Sequence, residues 1–401
     1  MQNLRIWKYL SLPWMVIALF FFISFIFLAF FKGTQIEYLT NDYLLGLFKN
    51  TFILSFLTAF ISALIAVPLA ILVTFYDFPG KKFFSWGLSL SIAFPAYVYA
   101  FIYVGIFEYS SPISTYLRDF DITFPSIKNL FGASIILSMA LFPYIYLLLR
   151  VKLASVGLDL FRAAKSLGNN NTASIFKVII PSLFPVIVAG MTLVVFETIA
   201  DFGGVSTLRI ETFTVGIYNA WFGYQSYFSA ARLAGYLLVF VFIIIFIAKF
   251  YEGKQNTLAQ KTSEVFEGIK LVPYKSFLAT LYCSTIFTIV FLIPLGQLLI
   301  WSYAENNFLS IENIHLVFNS LALGVIVSMI TVFFGIALAL AYRNDKKLRL
   351  IISVSTSGYA IPGSVISAGL LVSIGYFFGV SITSFGIVGL CLLYTSPSPR
   401  D

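Results

Sequence analysis

Residues 51–75 read TFILSFLTAFISALIAVPLAILVTF, an apolar stretch without a single charged side chain. A helix needs about 20 apolar residues to cross the hydrocarbon core of a bilayer, so this stretch is long enough to span a membrane. Similar runs recur along the chain and predict an all-α polytopic membrane protein. The predicted spans are 12–31, 51–75, 83–107, 131–149, 179–200, 233–249, 277–301, 320–342 and 350–378, with a further span beginning near Ile382.

The composition indicates the same class. Hydrophobic residues make up 60% of the 401-residue chain and charged residues 10%, whereas a soluble domain carries about 25% charged residues. The net charge of +8 is better explained by cytoplasmic loops than by a nucleic-acid partner, because Lys and Arg collect on the cytoplasmic side of membrane proteins. With Cys283, Cys391 and His315 as its Cys and His residues, the chain has too few ligands for a zinc or soft-metal cluster.

Loop charges orient the predicted spans. The loop 150–178 carries five Lys and Arg residues against one Asp, whereas 302–318 has two Glu and no Lys or Arg. The positive-inside rule therefore predicts that the N-terminus and the loops 76–82, 150–178, 249–276 and 343–349 are cytoplasmic. These assignments alternate correctly through the predicted spans.

Two parts of the chain resemble each other. Asn50-Thr51 opens the second span and Asn319-Ser320 opens the eighth, and each is followed by small residues on one helix face, where a neighbouring helix can approach closely. Each copy then has a Lys-Lys loop and a proline in the next span, which we expect to kink that span. We predict a parallel duplication of a six-helix unit whose second copy is incomplete. The matching small residues are Ser55, Ala59, Ser62, Ala66 and Ala70 against Gly324, Ser328, Thr331, Gly335 and Ala339, and the prolines are Pro95 and Pro362.

The duplication predicts a division into domains. Residues 1–250 form the first transmembrane domain, 251–276 a polar cytoplasmic linker and 277–390 a truncated second domain; an ordinary long loop is the alternative for the linker. The end of the chain, 391–401, reads CLLYTSPSPRD and resembles the translation of a sequencing adapter, so we expect a non-native tail there. A natural, disordered polar tail is the alternative.

The most distinctive polar segment is a basic loop, 157–181, between the fourth and fifth predicted spans. Its spacing is Ala-Ala, three residues, Gly, nine residues and then aliphatic-x-aliphatic-Pro. This spacing resembles the EAA loop of ABC importer permeases, through which a separate ATPase drives the membrane subunit. Arg162 stands where that family usually has Glu, so the charge offered to the ATPase differs. The resemblance implies a coupling role for Arg162, Ala163, Ala164, Gly168, Phe176 and Pro181.

The same loop predicts an elbow of two short helices. Asp159 caps or charges the start of the first helix, and Gly168 ends that helix in the left-handed conformation. Thr172 caps the second helix, and Pro181 begins the next span, where its missing N–H costs least. The two alanines would leave a smooth face for a partner, with Phe176 as an apolar knob. An interfacial connector without a partner is the alternative.

A second stretch narrows the resemblance. Residues 196–205 read FETIADFGGV and 212–223 read TFTVGIYNAWFG, and both look like the fused two-half permeases of ferric iron importers; thiamine, sulfate and polyamine permeases are close relatives. The resemblance, which extends to residue 390, implies a multi-pass permease of the bacterial inner membrane. It implies a periplasmic solute-binding protein and an ATPase dimer as partners. The sequence has no phosphate-binding loop, so ATP and Mg²⁺ are expected on the ATPase, and we expect this chain to bind no cofactor and to catalyse no reaction.

Glu197 and Asp201 lie four positions apart at the outer end of the fifth predicted span, which places them on one helix face. Ionisable groups at membrane depth are costly and usually functional, and two carboxylates suit a hard cation such as ferric iron. Alternatively, Asp201 lies in the headgroup zone and Glu197 pairs with a donor on a neighbouring span. Together with Pro95 and Pro362, these carboxylates are the candidate residues of the translocation pathway, and no other metal site is predicted.

Two other functional classes compete with an ATP-driven permease. An ion-coupled secondary transporter would also show repeats, but it usually places ionisable groups near the bilayer midplane, where most of the predicted spans have nearly none. A membrane-embedded enzyme would need paired His residues, a Ser-His-Asp set or a metal cluster, and the sequence offers none of these. Neighbouring genes for an ATPase and a secreted solute-binding protein would favour the permease.

Overall fold

A computed structural model of the chain describes most of its membrane-spanning part. The described residues are 12, 16, 20, 23–27, 29, 30, 39–121, 123, 125–252, 268–304, 311–344, 348, 349, 352 and 362–378. Several predicted features lie outside them: most of the linker, the second Lys-Lys loop, most of 350–361, the span from Ile382 and the tail 391–401.

Helices dominate the described residues, as the sequence predicts for an all-α polytopic membrane protein. The helices are α1 (Asn41–Phe75), α2 (Lys81–Gly87), α3 (Ala96–Phe107), α4 (Pro112–Arg118), α5 (Leu130–Lys152), α6 (Leu158–Ser166), α7 (Asn171–Ala173), α8 (Ile180–Ala200), α9 (Gly203–Thr207), α10 (Phe213–Tyr218), α11 (Tyr227–Glu252), α12 (Pro273–Phe287), α13 (Ile293–Ala304), α14 (Ile311–Asn344) and α15 (Gly363–Phe378). The described residues between 12 and 30 are helical as well.

Six helical rods in the described part of the chain are long and apolar enough to cross a membrane. Each begins before the start that the sequence predicts, because a helix continues past the apolar core into polar positions such as Asn41 and Asp42. Wide π-helical turns join shorter helices within some of these rods. The rods are Asn41–Phe75, Leu130–Ser155, Asn171–Ala200, Tyr227–Ile247, Pro273–Ala304 and Asn313–Arg343.

The predicted span 83–107 is wrong as a single straight helix. A 3₁₀ turn, Leu88–Ala93, follows α2, and the two arms Lys81–Ala93 and Ala96–Arg118 are bent by 89°. We call these two arms the broken segment. Pro95 causes the break, because proline lacks an N–H and its ring excludes a helical conformation at the residue before it. The predicted kink at Pro95 is therefore confirmed.

Pro362 precedes α15 in the same way that Pro95 precedes α3. The Pro95 carbonyl accepts from the N–H groups of Val98 and Tyr99 at 3.0 and 3.4 Å. The Pro362 carbonyl accepts from Val365 and Ile366 at 2.9 and 3.2 Å, and Pro362 is buried. Each proline thus begins a helix, where its missing N–H is not needed.

Contacts divide the chain into two units. The larger unit comprises Lys49–Glu211 and Ile243–Trp301, and the smaller unit comprises Met1–Phe48, Thr212–Phe242 and Ser302–Asp401. The two units do not follow the predicted domain boundaries at 250 and 277, because α12 groups with helices that precede the linker. The division of the chain by the repeat stays a prediction.

Two tyrosines hold α12 and α13 against the broken segment within the larger unit. Tyr99 donates to the carbonyl of Val290 at 2.5 Å, and Tyr103 donates to that of Ile289 at 2.6 Å. Both carbonyls belong to the π-helical turn Thr288–Leu292, where the regular helical bonding pattern changes. These two hydrogen bonds therefore fix the π-helical turn against the broken segment.

The larger unit also holds a small sheet at the ends of α1 and of the linker. Strands β1 (Tyr76–Asp77) and β2 (Ile269–Lys270) pair in parallel. Nearby, the Thr280 hydroxyl donates to the Pro79 carbonyl at 3.1 Å. The polar connection before α2 is thus tied to the end of the linker and to the first turns of α12.

The smaller unit packs the first predicted span against α15. The hydroxyl of Ser24 donates to that of Ser373 at 3.1 Å, and the rings of Phe20 and Phe377 lie 5.8 Å apart. An added Cβ at Gly369 would lie 2.8 Å from the Phe25 ring, so the two helices approach closely there.

The two predicted small-residue faces differ in their surroundings. All five small residues on α1 are fully buried, which confirms the predicted close packing of that face. The corresponding residues on α14 are exposed, so the prediction is not met in the second copy. The buried set is Ser55, Ala59, Ser62, Ala66 and Ala70; the exposed set is Gly324, Ser328, Thr331, Gly335 and Ala339.

Candidate functional site

The candidate functional site is the segment 153–181, which we call the elbow. The chain leaves α5 through a π-helical turn, Leu153–Gly157, and continues directly into α6. It then reverses near Gly168 and passes through α7 and a second π-helical turn, Ser174–Ile179, into α8. Helical backbone therefore connects the elbow to a long span on each side.

The turn at the end of α6 depends on Gly168. Its φ of 85° is left-handed, a conformation that glycine adopts without steric cost. The Gly168 N–H donates to the Lys165 carbonyl at 3.0 Å, and the Asn169 N–H donates to the Ala164 carbonyl at 3.2 Å. This pair of bonds is a Schellman motif, which satisfies the last carbonyls of the helix. The prediction for Gly168 is confirmed.

Capping differs from the sequence prediction at the second short helix, whereas Asp159 supplies the predicted charge at the first. Asn170, not Thr172, caps α7: its side-chain oxygen accepts from the Ala173 N–H at 2.7 Å. The extended backbone of Asn170 aims its short side chain at the first turn, whereas Thr172 already lies inside the helix. Asp159 lies in the first turn of α6 and contributes its charge there, while the N-cap position is Gly157.

The elbow buries one face against its own helices and the end of α1. The rings of Phe161 and Phe75 lie 5.3 Å apart, and both are buried. Ala164 is also buried, whereas Ala163 is exposed, so the prediction of one smooth face made by both alanines is wrong. Adjacent residues on a helix point in directions about 100° apart, which prevents two neighbouring alanines from sharing a face.

The elbow also exposes two large apolar side chains in a segment that carries several cations. Phe176 is 63% exposed, as expected for an apolar knob, and Leu167 is 83% exposed. Leu167 was missed in the sequence, although a bulky apolar residue directly before a helix-ending glycine is a usable signal. Apolar side chains ringed by charge are typical of a protein-docking surface. The exposed residues include Arg162, Ala163, Lys165, Leu167, Phe176 and Lys177, together with the acidic Asp159.

Pro181 lies in the first turn of α8, as the sequence predicts. The rod nevertheless runs without interruption from Asn171 to Ala200. The π-helical turn ends at Ile179, just before the proline, and its wider bonding pattern accommodates a residue that cannot donate. The elbow is therefore continuous with the span that follows it.

The two spans that carry the elbow are in close contact. An added Cβ at Gly190 of α8 would lie 3.0 Å from the Cα and 3.2 Å from the Cγ1 of Ile145 on α5. Glycine lets the two backbones approach in this way. A displacement of the elbow is thus expected to move α5 and α8 together.

The turn at Gly168 leads to a specific prediction. Gly168→Val is expected to destabilise the elbow by about 1–2 kcal/mol, because a branched residue is strained in the left-handed conformation. An added Cβ meets nothing within 4 Å, so the effect is conformational rather than steric. Gly168→Asn is the matched control, since Asn tolerates this conformation. Thermal unfolding of the purified protein measures the difference; equal unfolding temperatures for the two variants would contradict it.

The carboxylates at the far end of α8 share one helix face, as the sequence predicts. Helix α8 ends at Ala200, and Asp201, its C-cap, has a helical φ of −68° and donates its N–H to the Glu197 carbonyl at 3.0 Å, so the two side chains lie one turn apart. The Asp201 Oδ2 accepts from the Val205 N–H at 2.9 Å and thereby begins α9. Glu197 is half-buried. Asp201 therefore has a structural contact, whatever else it binds.

Two glycines make the Asp201 turn possible. An added Cβ at Gly203 would lie 2.7 Å from the Tyr97 Cβ, and one at Gly204 would lie 2.6 Å from the Asp201 Oδ2. The two glycines of the turn thus pack closely against α3 and against the Asp201 carboxylate. Within the described residues, no group of three or more His, Cys, Asp and Glu side chains is placed to hold a metal ion.

The apolar spans α5 and α8 and the elbow between them lie in a part of the chain that a known family matches. The family described as the binding-protein-dependent transport system inner membrane component matches residues 66–264, which include α5, the elbow and α8. Residues 66–264 therefore belong to this family of multi-pass inner membrane permeases, the permeases of ABC importers.

Individual relatives include permeases for iron and for sulfate. The Fe(3+)-transport system permease protein FbpB 2 of Haemophilus influenzae is 26% identical over 88% of this chain and 68% of its own length. The sulfate transport system permease protein CysT of Escherichia coli is 25% identical over 42% of this chain and 60% of its own length. A probable sulfate permease cysT of Prototheca wickerhamii is 27% identical over 44% of this chain and 70% of its own length.

Proposed function

We propose that this chain is the membrane subunit of an ATP-driven importer that takes ferric iron from a periplasmic binding protein. A separate ATPase dimer drives it by docking on the elbow. ATP and Mg²⁺ are held by that dimer, and this chain binds no cofactor of its own. The N-terminus and the elbow face the cytoplasm, in agreement with the basic loops.

The exposed face of the elbow is the observation that carries this proposal. Leu167 and Phe176 would gain apolar burial on docking, and the surrounding cations would steer and orient an acidic partner. Because helical backbone joins the elbow to α5 and α8, a push on it passes into two spans as a rigid-body movement. Such a movement can open the permease alternately to each side of the membrane.

Iron is proposed ahead of sulfate for two reasons. Similarity to the iron permease extends over 88% of the chain, against 42% for the sulfate permease of Escherichia coli. Glu197 and Asp201, the candidate pathway carboxylates, also favour a hard cation and repel a sulfate anion. A sulfate permease is the second candidate, because sulfate permeases of several organisms are also similar to part of the chain.

Uptake measurements test this proposal. Cells expressing the permease with its neighbouring ATPase and binding protein are expected to accumulate labelled ferric iron, and the ATPase is expected to co-purify with the permease. Accumulation of labelled sulfate instead would transfer the substrate assignment to the second candidate. A wild-type permease that never binds an ATPase, or whose elbow reacts with reagents confined to the cell exterior, would overturn the mechanism itself.

The pathway carboxylates lead to a prediction that separates charge from structure. Glu197→Gln and Asp201→Asn are each expected to slow iron uptake about tenfold, equivalent to ~1.4 kcal/mol of lost stabilisation of the passing cation. The amount of folded protein should stay normal, because Asn retains an oxygen that can accept from the Val205 N–H. Asp201→Ala removes that acceptor and is expected to lower the amount of folded protein as well. Unchanged uptake in both charge-neutral variants would remove the carboxylates from the pathway.

A further inference from the structure

Two side chains on α5 bind the backbone of the short helix α2. The Tyr146 hydroxyl donates to the Ser85 carbonyl at 2.9 Å and to the Phe84 carbonyl at 3.3 Å. The Arg150 guanidinium donates to the same Ser85 carbonyl. Since Tyr146 and Arg150 are four residues apart, they lie on one face of α5. We call this pair, with its two carbonyls, the clasp.

The clasp forms where the bonding pattern of the backbone changes. Helix α2 ends at Gly87 and a 3₁₀ turn begins at Leu88. The Phe84 carbonyl already accepts from the Leu88 N–H, and Tyr146 and Arg150 add side-chain donors at this junction. Tyr146 is fully buried, and an unsatisfied polar group in such surroundings is costly. The contact is therefore expected to persist.

The clasp joins two parts of the molecule that the proposed mechanism must connect. Helix α5 continues through the π-helical turn Leu153–Gly157 into α6, so Arg150 stands just before the elbow. On the other side, Ser85 belongs to the first arm of the broken segment, which bends by 89° at Pro95. A movement of the elbow thus has a short, hydrogen-bonded route to the broken segment.

The chemistry of Arg150 suits a joint that moves. Arg150 donates to a neutral carbonyl, so this hydrogen bond does not require an acidic side chain as its partner. A guanidinium offers five N–H donors, and it can keep one bond while the helices shift past each other. An aliphatic side chain would pack against α2 without this directional contact.

We propose that Arg150 and Tyr146 are positioning residues that transmit the movement of the elbow to the broken segment. This inference rests on the proposed function, because it assigns a role within the same ATP-driven cycle. The clasp does not bind substrate. It determines how much of the motion at the ATPase surface reaches the bend at Pro95.

The first test measures coupling in the assembled transporter. In proteoliposomes, the double variant Arg150→Met, Tyr146→Phe is expected to lose about fivefold or more of its iron uptake per ATP hydrolysed, the size of a typical coupling change. ATPase binding should stay near the wild-type value, while the unfolding temperature is expected to fall, because the Ser85 carbonyl loses both side-chain donors. Lys152→Met, which removes an exposed cation from the same helix, is the matched control and should keep normal coupling. A ratio equal to that of the control would overturn the inference.

The second test does not require the ATPase. Spin labels at the exposed positions Lys82 on α2 and Lys165 on the elbow report their separation in the purified full chain. The distance distribution is expected to be narrow in the wild type and broader in the double variant. An unchanged distribution would overturn the clasp as a mechanical link. If the wild-type chain never binds an ATPase, the proposed function fails, while this second measurement still decides whether the clasp couples the two helices.

Discussion

Phe176→Ala is expected to remove most ATP-driven uptake while leaving the folded permease intact. The ring is 63% exposed, so it contributes little to the fold of the free protein. At a docked surface it would be buried, and its loss would weaken the ATPase contact by about 2 kcal/mol, or roughly thirtyfold in affinity. Large aromatic side chains that become buried at an interface carry much of its binding energy.

The matched control for Phe176 is Tyr116→Ala. Tyr116 on α4 is 64% exposed, so an aromatic ring of the same accessibility is removed outside the elbow. Both variants are compared by co-purification of the ATPase, by uptake and by thermal unfolding. If Phe176→Ala and Tyr116→Ala bind the ATPase equally well, the exposed face of the elbow is not the docking surface.

Gly190→Leu is expected to separate α5 from α8 and to prevent accumulation of a stable permease. A Cβ alone would already lie 3.0 Å from the Ile145 backbone, so a leucine forces one helix away from the other. Overpacking of this kind costs about 1–3 kcal/mol, and the elbow would lose the alignment of the two spans that carry it. Thermal unfolding and size-exclusion chromatography in detergent report the damage.

Gly296→Leu on α13 is the matched control for the packing effect. An added Cβ there meets nothing within 4 Å, and leucine favours a helix over glycine by about 0.8 kcal/mol. This variant is expected to unfold at the same temperature as the wild type or higher. A Gly190→Leu protein as stable as Gly296→Leu would show that the close approach of α5 and α8 is dispensable.

Features with a local cause could be predicted from the sequence. Hydropathy located the long spans, and the glycine at the end of α6 predicted its left-handed turn. Proline chemistry predicted the kink at Pro95, though not its size. An 89° break also needs the 3₁₀ turn before the proline, and hydropathy does not distinguish that turn from a straight helix.

Features that depend on neighbours could not be predicted in the same way. Which of two adjacent alanines faces inward depends on what packs against α6, and here Phe75 and Phe161 decide it. The cap at Asn170 was missed because the start of α7 depends on the turn before it. The sequence also did not predict that α12 and α13 pack with α2 and α3. Apolar helices in lipid associate through shape and individual hydrogen bonds rather than through hydrophobicity, so hydropathy does not identify helix partners.

The pairing of β1 with β2 has a consequence for how the chain can be divided. Non-covalent contacts, and not only the peptide chain through 253–267, keep α12 beside α2 and α3. The strand pair, the Thr280–Pro79 bond and the two tyrosine hydroxyls hold them together. A gene split at this position is therefore expected to yield two polypeptides that reassociate through these contacts.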